Sequence, residues 1–336
     1  FSWFYVPVRS TGQVVITGGP PPCSRPSFLG WWGDIPCVDS LTHAFVVVLA
    51  AAGTLSRPFL FILVLGSVFP DVDILFKPLS DRYPSLYLFT HGGIAHSILG
   101  VLAMAPLVLI GVFLAASAGF FPDPGQGFSW VQMGILFISG GLTHLFLDAL
   151  ACPGIPLFYP FSSKKYTACI FPGPSLVLFA ASLLFAAMIF TRHGGPEVIL
   201  AYASGSALFI LSSGIIALVV ARRVDGKAIP TFNPLRWLVF KDDGKQYLLS
   251  WYSPLSVSDT VISFPKYVNT TLTDLEPLVR QPEYQRLRFY SYAVCAEQDG
   301  DHIIFFDPLR SGHFIFYPPY YTRIVLPAQD NDSLRP

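Results

Sequence analysis

Histidine and aspartate side chains border several apolar runs in the first half of this 336-residue chain. Residues 90–100 read THGGIAHSILG, with two imidazoles around a Gly-Gly pair directly ahead of an apolar run. An ionisable group costs about 2.5–3.5 kcal/mol near the centre of a bilayer, so its presence beside such a run needs a chemical reason. Seven of these groups stand out: His43, Asp71, Asp73, His91, His96, His144 and Asp148.

The spacing of two pairs suits metal coordination. His144 and Asp148 are four residues apart, so they share one face of a helix. Asp71 and Asp73 follow a proline, and both carboxylates point the same way if that turn is extended. Each pair therefore offers two ligand atoms to one site.

The two histidines of the THGGIAHS segment need a break in the helix between them. His91 and His96 lie about 140° apart round an ideal helix, so they cannot share a face of one regular helix. The Gly-Gly pair resolves this if His91 lies in a loop and His96 in the first turn of the helix that follows.

Imidazoles and carboxylates together predict a divalent-metal site. This nitrogen and oxygen set suits zinc, and less specifically manganese or iron. Seven ligands exceed the needs of one tetrahedral ion but fit two ions with a bridging carboxylate. Either Asp71 or Asp73 would then act as general base instead of ligand.

The composition places this site in a membrane protein. The chain is 52% hydrophobic and 12% charged, and its mean hydropathy is +0.53. A soluble domain carries about 25% charged residues. The net charge is zero, so no nucleic-acid partner is expected. The five cysteines form no CxxC pair, which argues against a zinc–cysteine site and predicts no disulfide framework.

Four apolar runs are long enough to cross a bilayer, which takes about 20 residues. Two half-length runs, Ala44–Gly53 and Phe59–Phe69, precede them and are separated by Arg57 and Pro58, which predicts a helical hairpin. The four full runs are Ile98–Ala118, Ser129–Ala151, Pro174–Thr191 and Val198–Val220.

Lys and Arg residues orient this bundle. The loops at 77–90 and 152–173 each contain two basic residues, the loop at 119–130 contains none, and three follow the last run. The positive-inside rule then puts the basic loops and the C-terminal third in the cytoplasm. All seven candidate ligands converge on that same face of an inner or plasma membrane.

The composition changes after Pro230. Short aromatic and β-branched runs are broken by Asp-Gly, Pro and Gly, which is typical of strands; they include QYLLSWY, RFYSYAVCA, HIIFFD and HFIFY. The predicted fold class is a mainly α membrane helical bundle with a small C-terminal β-rich domain. The predicted boundaries are 1–40 for a segment of unknown fold, 41–225 for the helical domain and 230–336 for the soluble β-rich domain.

The motifs LTHAF, LGSVFPDVD, HGGIAHS and LTHLFLDALACPGIPLFYPFSSKKY resemble the membrane-bound metal-dependent hydrolases of the YdjM and YfhP type. The resemblance runs from Leu41 to Tyr166 and continues more weakly into the tail. Gly92 and Ala95 stand where the family has Arg and Thr, which affects a substrate contact rather than the metal site. The family is itself similar to zinc-dependent phospholipase C, which implies phosphoester hydrolysis.

The predicted function is therefore hydrolysis of a phosphoester in a lipid or membrane-surface substrate by metal-activated water. Ser97 matches the family motif, and Lys164 and Lys165 stand near enough to the metal helix to hold an anionic substrate, although such lysines are more often membrane-edge anchors. The alternatives are a membrane transporter, and a non-enzymatic protein that binds metal or docks a partner. A transporter would need polar groups across the membrane depth.

Overall fold

The computed structural model describes residues 37–51, 54–120, 129–173, 175–191, 195–254 and 261–328. The predicted segment 1–40 therefore lies almost entirely outside the described residues. Two compact units are present, Ile35–Ser213 and Gly214–Pro336. The division falls within one long helix, and each unit is described by itself.

The first unit is built from helices, as the sequence predicts. Three short 3₁₀ segments, Phe69–Phe76, Pro84–Phe89 and Ile94–His96, connect them. The α-helices are α1 (Cys37–Ala51), α2 (Arg57–Val68), α3 (Lys77–Arg82), α4 (Ile98–Ser117), α5 (Trp130–Asp148), α6 (Leu176–Phe190) and α7 (Pro196–Arg223), the last of which continues into the second unit.

Four helical stretches among the described residues are long and apolar enough to cross a membrane. They are Arg57–Arg82, Ile98–Ser117, Trp130–Asp148 and Pro196–Arg223. This set differs from the predicted one at two places. The run Pro174–Thr191 forms the 15-residue helix α6, which at 1.5 Å per residue is short of a bilayer. The half-length run Phe59–Phe69 instead belongs to a continuous 26-residue helical stretch.

The predicted hairpin of α1 and α2 is present, and Pro58 lies in the first turn of α2, where its missing N–H costs nothing. The segment after α2 differs from the prediction. Asp71 and Asp73 lie in the 3₁₀ helix Phe69–Phe76 rather than in an extended turn. Pro70 occupies the first turn of that helix, where its fixed φ favours helical backbone.

Two glycines allow α2 and α5 to cross closely. A Cβ at Gly66 would overlap the carbonyl oxygen of Phe137, and a Cβ at Gly140 would overlap that of Leu63. Ile62 and Phe137 are buried at this crossing together with Met133, Ala105 and Val108. The crossing fixes the distance between the C-terminal ends of α2 and α5.

The segment after α5 folds back onto the end of that helix. The backbone N–H of Ala168 donates to the carbonyl of Ala149, and that of Cys152 donates to Phe171. Cys152 and Cys169 form a disulfide in this segment, with Cα atoms 4.7 Å apart. The sequence did not predict this pair, because backbone pairing rather than sequence proximity brings the two cysteines together.

The second unit contains two four-stranded sheets. In the first, β1 (Lys227–Pro230), β2 (Trp237–Asp242), β3 (Gln246–Tyr252) and β4 (Val261–Pro265) pair in chain order and antiparallel. In the second, β5 (Tyr267–Val268) pairs parallel with β6 (Cys295–Asp299), and β7 (His302–Phe306) and β8 (Arg323–Pro327) follow antiparallel.

Three short helices accompany these sheets: α8 (Leu272–Leu275), α9 (Pro282–Tyr290) and α10 (Pro308–Ser311). Leu275, Leu278 and Leu287 pack with Phe305 in the core beside the second sheet. Together with the bundle, this unit confirms the predicted fold class.

Candidate metal centre

The seven predicted ligands come from five separate places in the helical unit. His43 lies in α1, and His144 and Asp148 lie in the last turns of α5. Asp71 and Asp73 lie in the 3₁₀ helix after α2. His91 lies in the turn ahead of the 3₁₀ helix Ile94–His96. His96 ends that short helix and directly precedes Ser97, the N-cap of α4. The structure brings all of these side chains to one site.

Glycine shapes the turn that presents the two histidines. Gly92 has a φ of 77°, in the left-handed region that glycine adopts without cost. A Cβ at Gly93 would overlap the carbonyl oxygen of Leu88. His96 therefore lies just before α4, which begins at Ile98, and not in the first turn of that helix as predicted.

The tautomer of His144 follows from one hydrogen bond. Its Nδ1 lies 2.7 Å from the backbone carbonyl oxygen of Ser67. A carbonyl oxygen can only accept, so Nδ1 carries the hydrogen and donates it. In the neutral ring, Nε2 is left with a lone pair that points into the cluster.

Asp73 holds His96 in the corresponding orientation. The Nδ1 atom of His96 lies 3.0 Å from Oδ2 of Asp73, so it donates to the carboxylate. The Nε2 atom of His96 then lies 3.2 Å from Nε2 of His144. Two neutral imidazoles would bring two lone pairs together at this point, which requires a positive charge between them.

The distances around that point match a metal site. Nε2 of His96 and Nε2 of His144 are each 3.5 Å from Oδ1 of Asp71 and 3.3 Å from Oδ2 of Asp148. Metal–ligand bonds of about 2.0–2.2 Å at tetrahedral angles separate two ligand atoms by about 3.3–3.6 Å. The donor set therefore fits zinc or a similar divalent cation.

Six of the seven side chains form two groups of three, each of which could hold a metal ion. One group is His43, His144 and Asp148, and the other is Asp71, His91 and His96. Oδ1 of Asp71 faces both groups, since it lies within 3.6 Å of His91 as well as near the two Nε2 atoms. A carboxylate in this position could serve both groups if metal were bound.

Asp73 belongs to neither group. Its Oδ1 lies 3.3 Å from Nδ1 of His91, and its Oδ2 is on the Nδ1 side of His96. A carboxylate that binds the far nitrogen of a ligand histidine orients the ring and raises its basicity. The structure thus gives Asp73 the geometry of a carboxylate that orients His96, in addition to the role of ligand or base that the sequence predicts.

Charge in the cluster favours a bound cation. Burial acts to lower the pKa of His96, but the carboxylates of Asp73, Asp71 and Asp148 outweigh it and hold that pKa well above its ordinary value. The same balance raises the pKa of His91. The three carboxylates, two of them buried, thus attract positive charge, whether as protons or as metal.

The three predicted substrate residues have different surroundings. Ser97 is fully buried and caps α4, accepting from the N–H of Gly100 and donating to the carbonyl of Ile94. Lys164 is exposed, and its ammonium lies 5.6 Å from the centre of the Tyr166 ring. Lys165 is its half-buried neighbour.

Two supporting groups are missing from the sequence prediction. The Ser40 hydroxyl donates to Oδ2 of Asp71, and the Ser67 carbonyl fixes the tautomer of His144. Ser40 stands three residues before His43, so a helical reading could have placed it on the same face. Nothing in the sequence indicates the Ser67 contact, because it uses a backbone carbonyl, which every residue has.

A family model described as YdjM inner membrane protein matches residues 38–227. No curated protein and no solved structure matches the chain. The matched range contains every candidate ligand and covers more than half of the 336 residues. The chain therefore belongs to the YdjM inner membrane protein family.

Proposed function

We propose that this membrane protein is a metal-dependent hydrolase, with zinc as the metal and a phosphoester of a lipid or membrane-surface molecule as the substrate. The observation that carries the proposal is the convergence of the Nε2 atoms of His96 and His144 with carboxylate oxygens of Asp71 and Asp148. When bound, a divalent cation lowers the pKa of water toward about 7 and stabilises developing negative charge.

The chain contributes ligands, orientation and a proton acceptor. His43, Asp71, His91, His96, His144 and Asp148 would hold the metal. Asp73 orients His96 and, because it is not needed as a ligand, is the carboxylate we assign as general base. His91 and Asp148, with side chains 15% and 16% exposed, are the most accessible members of the cluster and face incoming substrate.

Exposed apolar side chains near the ligands support a substrate that lies in the membrane surface. Leu75 and Phe76 directly follow the aspartate segment and are 73% and 49% exposed. Phe161, in the segment after α5, is 88% exposed. Lys164 and Lys165 lie in that same segment and would bind a phosphate. Such a combination of apolar and basic side chains suits the headgroup region of a bilayer.

We further propose that the site faces the cytoplasm, as the distribution of Lys and Arg predicts. Disulfides are rare there, and in the Cys152–Cys169 pair Cys152 is fully buried whereas Cys169 is half-buried, so the orientation needs a test of its own. Lys164→Cys tests this orientation with a membrane-impermeant maleimide, followed at the level of peptides. We expect labelling only after cells are permeabilised, and labelling of intact cells would reverse the orientation.

The activity is tested on the full chain in nanodiscs of anionic phospholipid. Metal is removed with a chelator and zinc is restored, while ³¹P NMR follows the release of phosphorus-containing products. We expect turnover that requires zinc and that is abolished in the double variant His144→Ala, Asp148→Ala. The matched control removes the exposed pair Asp301 and His302 in the second unit and should leave turnover unchanged.

Two outcomes contradict the proposal. Metal that binds stoichiometrically without any phosphoester turnover would favour the non-enzymatic alternative. Metal-dependent ion flux across sealed vesicles, again without turnover, would favour the transporter.

A further inference from the structure

A cavity of 510 Å³ lies in the second unit, and none of the predicted metal ligands lines it. Small-molecule sites span about 300–1,000 Å³, so this volume is enough for one. Its apolar wall is continuous with the core beside the second sheet, through Leu275, Ala296 and Phe305. Its other wall comes from β3 of the first sheet, which contributes Tyr247.

Three tyrosines line this cavity beside Arg288: Tyr247, Tyr267 and Tyr284. Burial raises the pKa of Tyr247 and of Tyr284, whereas the positive charge of Arg288 acts to lower both pKa values. Arg288 lies four residues after Tyr284 in α9, so the two share a helix face, and both line the cavity together with Tyr247.

Arg288 is also the cation that remains unpaired at the cavity. The other charged lining residue, Glu276, forms an ion pair with Arg280 at 3.1 Å. No carboxylate of the described ranges lies within 4.0 Å of Arg288. An arginine with neighbouring phenol hydroxyls is a typical recognition group for a carboxylate or a phosphate.

We propose that this cavity binds a small amphiphile with one anionic head, a carboxylate or a phosphate monoester, and an apolar body. The head binds Arg288 and the tyrosine hydroxyls. The body contacts Leu275, Val279 and Phe305. The inference rests on the second unit alone and does not depend on the proposed metal chemistry.

The test uses the full chain in nanodiscs and three water-soluble probes that share a fluorophenylbutyl body. One probe is 4-(4-fluorophenyl)butanoate, one is the corresponding phosphate monoester, and one is the neutral alcohol. Binding is followed by ¹⁹F NMR line broadening, with empty nanodiscs subtracted. We expect saturable binding of one or both anions and much weaker binding of the alcohol, and the stronger anion identifies the head.

Variants locate the bound probe. Arg288→Gln should weaken anion binding about tenfold or more, because a charge-assisted hydrogen bond is lost. Thr273→Trp, at an exposed position of the lining, should block all binding by filling the opening. Arg323→Gln, at an exposed position outside the lining, is the matched control and should bind normally. Equal binding of the alcohol, unchanged binding in Arg288→Gln, or no saturable binding would each overturn the proposal.

Discussion

At the scale of single residues, the hydrogen-bonding partner of each imidazole decides its role. His144 donates through Nδ1 to a carbonyl and His96 donates through Nδ1 to Asp73, so both present Nε2 to the same point. The sequence predicts which residues meet, since the i,i+4 spacing in α5 and the Gly-Gly turn are local features. It does not predict tautomers, because these depend on the Ser67 carbonyl and on a carboxylate from another segment.

The role of Asp73 can be separated from that of Asp71. Asp73→Asn should retain bound metal and lower turnover about 10- to 100-fold, as for other carboxylates that orient a ligand histidine. Asp71→Asn should instead lose metal, because Asp71 faces both ligand groups. Metal analysis of both purified variants, together with the phosphoester assay, checks this. Equal loss of metal in the two variants would contradict the assignment.

The cysteines should differ in reactivity. Burial raises the pKa of the Cys295 thiol to about 12, so almost no thiolate is present at pH 8. We expect Cys295 to resist a maleimide in the folded protein and to react after denaturation without a reductant. Peptides with Cys152 and Cys169 should react only after reduction. Reaction of folded Cys295 would show that its environment is more open.

At the scale of elements, the crossing of α2 and α5 brings the aspartate segment to His144. Gly140→Ala would push α5 away from the Leu63 carbonyl, and we expect a loss of about 1–3 kcal/mol of stability, with weaker metal binding. Gly134→Ala is the matched control in the same helix. Its Cβ would make only an ordinary contact, 3.7 Å from Leu109, so the helix should gain about 0.5–1 kcal/mol. Thermal unfolding and zinc titration of the two variants measure the difference, and a stable Gly140→Ala protein with full zinc affinity would contradict this account of the crossing.

Helix and strand types were predictable where the pattern was local. The hairpin of α1 and α2 followed from Pro58, and QYLLSWY and HIIFFD are strands β3 and β7. RFYSYAVCA was predicted as one strand, but Arg288–Tyr290 ends the helix α9, which starts at Pro282. HFIFY was also predicted as a strand, yet it lies outside the strands of the structure. In both segments, aromatic content misled because tertiary packing decides the backbone conformation of short aromatic runs.

At the scale of the whole molecule, the second unit has its own buried anchor. The Arg310 guanidinium donates to Asp307, to Ser291 and to the carbonyls of Pro318, Tyr320 and Tyr321. Breaking a buried pair of this kind costs about 3–5 kcal/mol, because the charge that remains is buried without a partner and without water. Such a network depends on contacts between separate turns and helix ends, and nothing in the sequence alone indicated it.

Arg310→Met should therefore destabilise the second unit and spare the first. We expect hydrogen exchange to lose protection in β6, β7 and β8 while α4 and α5 keep theirs. Arg280→Met, which removes an exposed ion pair, should cost about 0–1 kcal/mol. Simultaneous loss of protection in α4 and α5 would show that the two units do not fold independently.

The most direct test of the metal centre is an anomalous difference map collected at the zinc edge from crystals of the full chain grown with zinc. The account predicts a peak bounded by His96, His144, Asp71 and Asp148, with a second peak beside it if both ligand groups are filled. A map without a peak at this cluster, or with zinc bound only elsewhere, would contradict it.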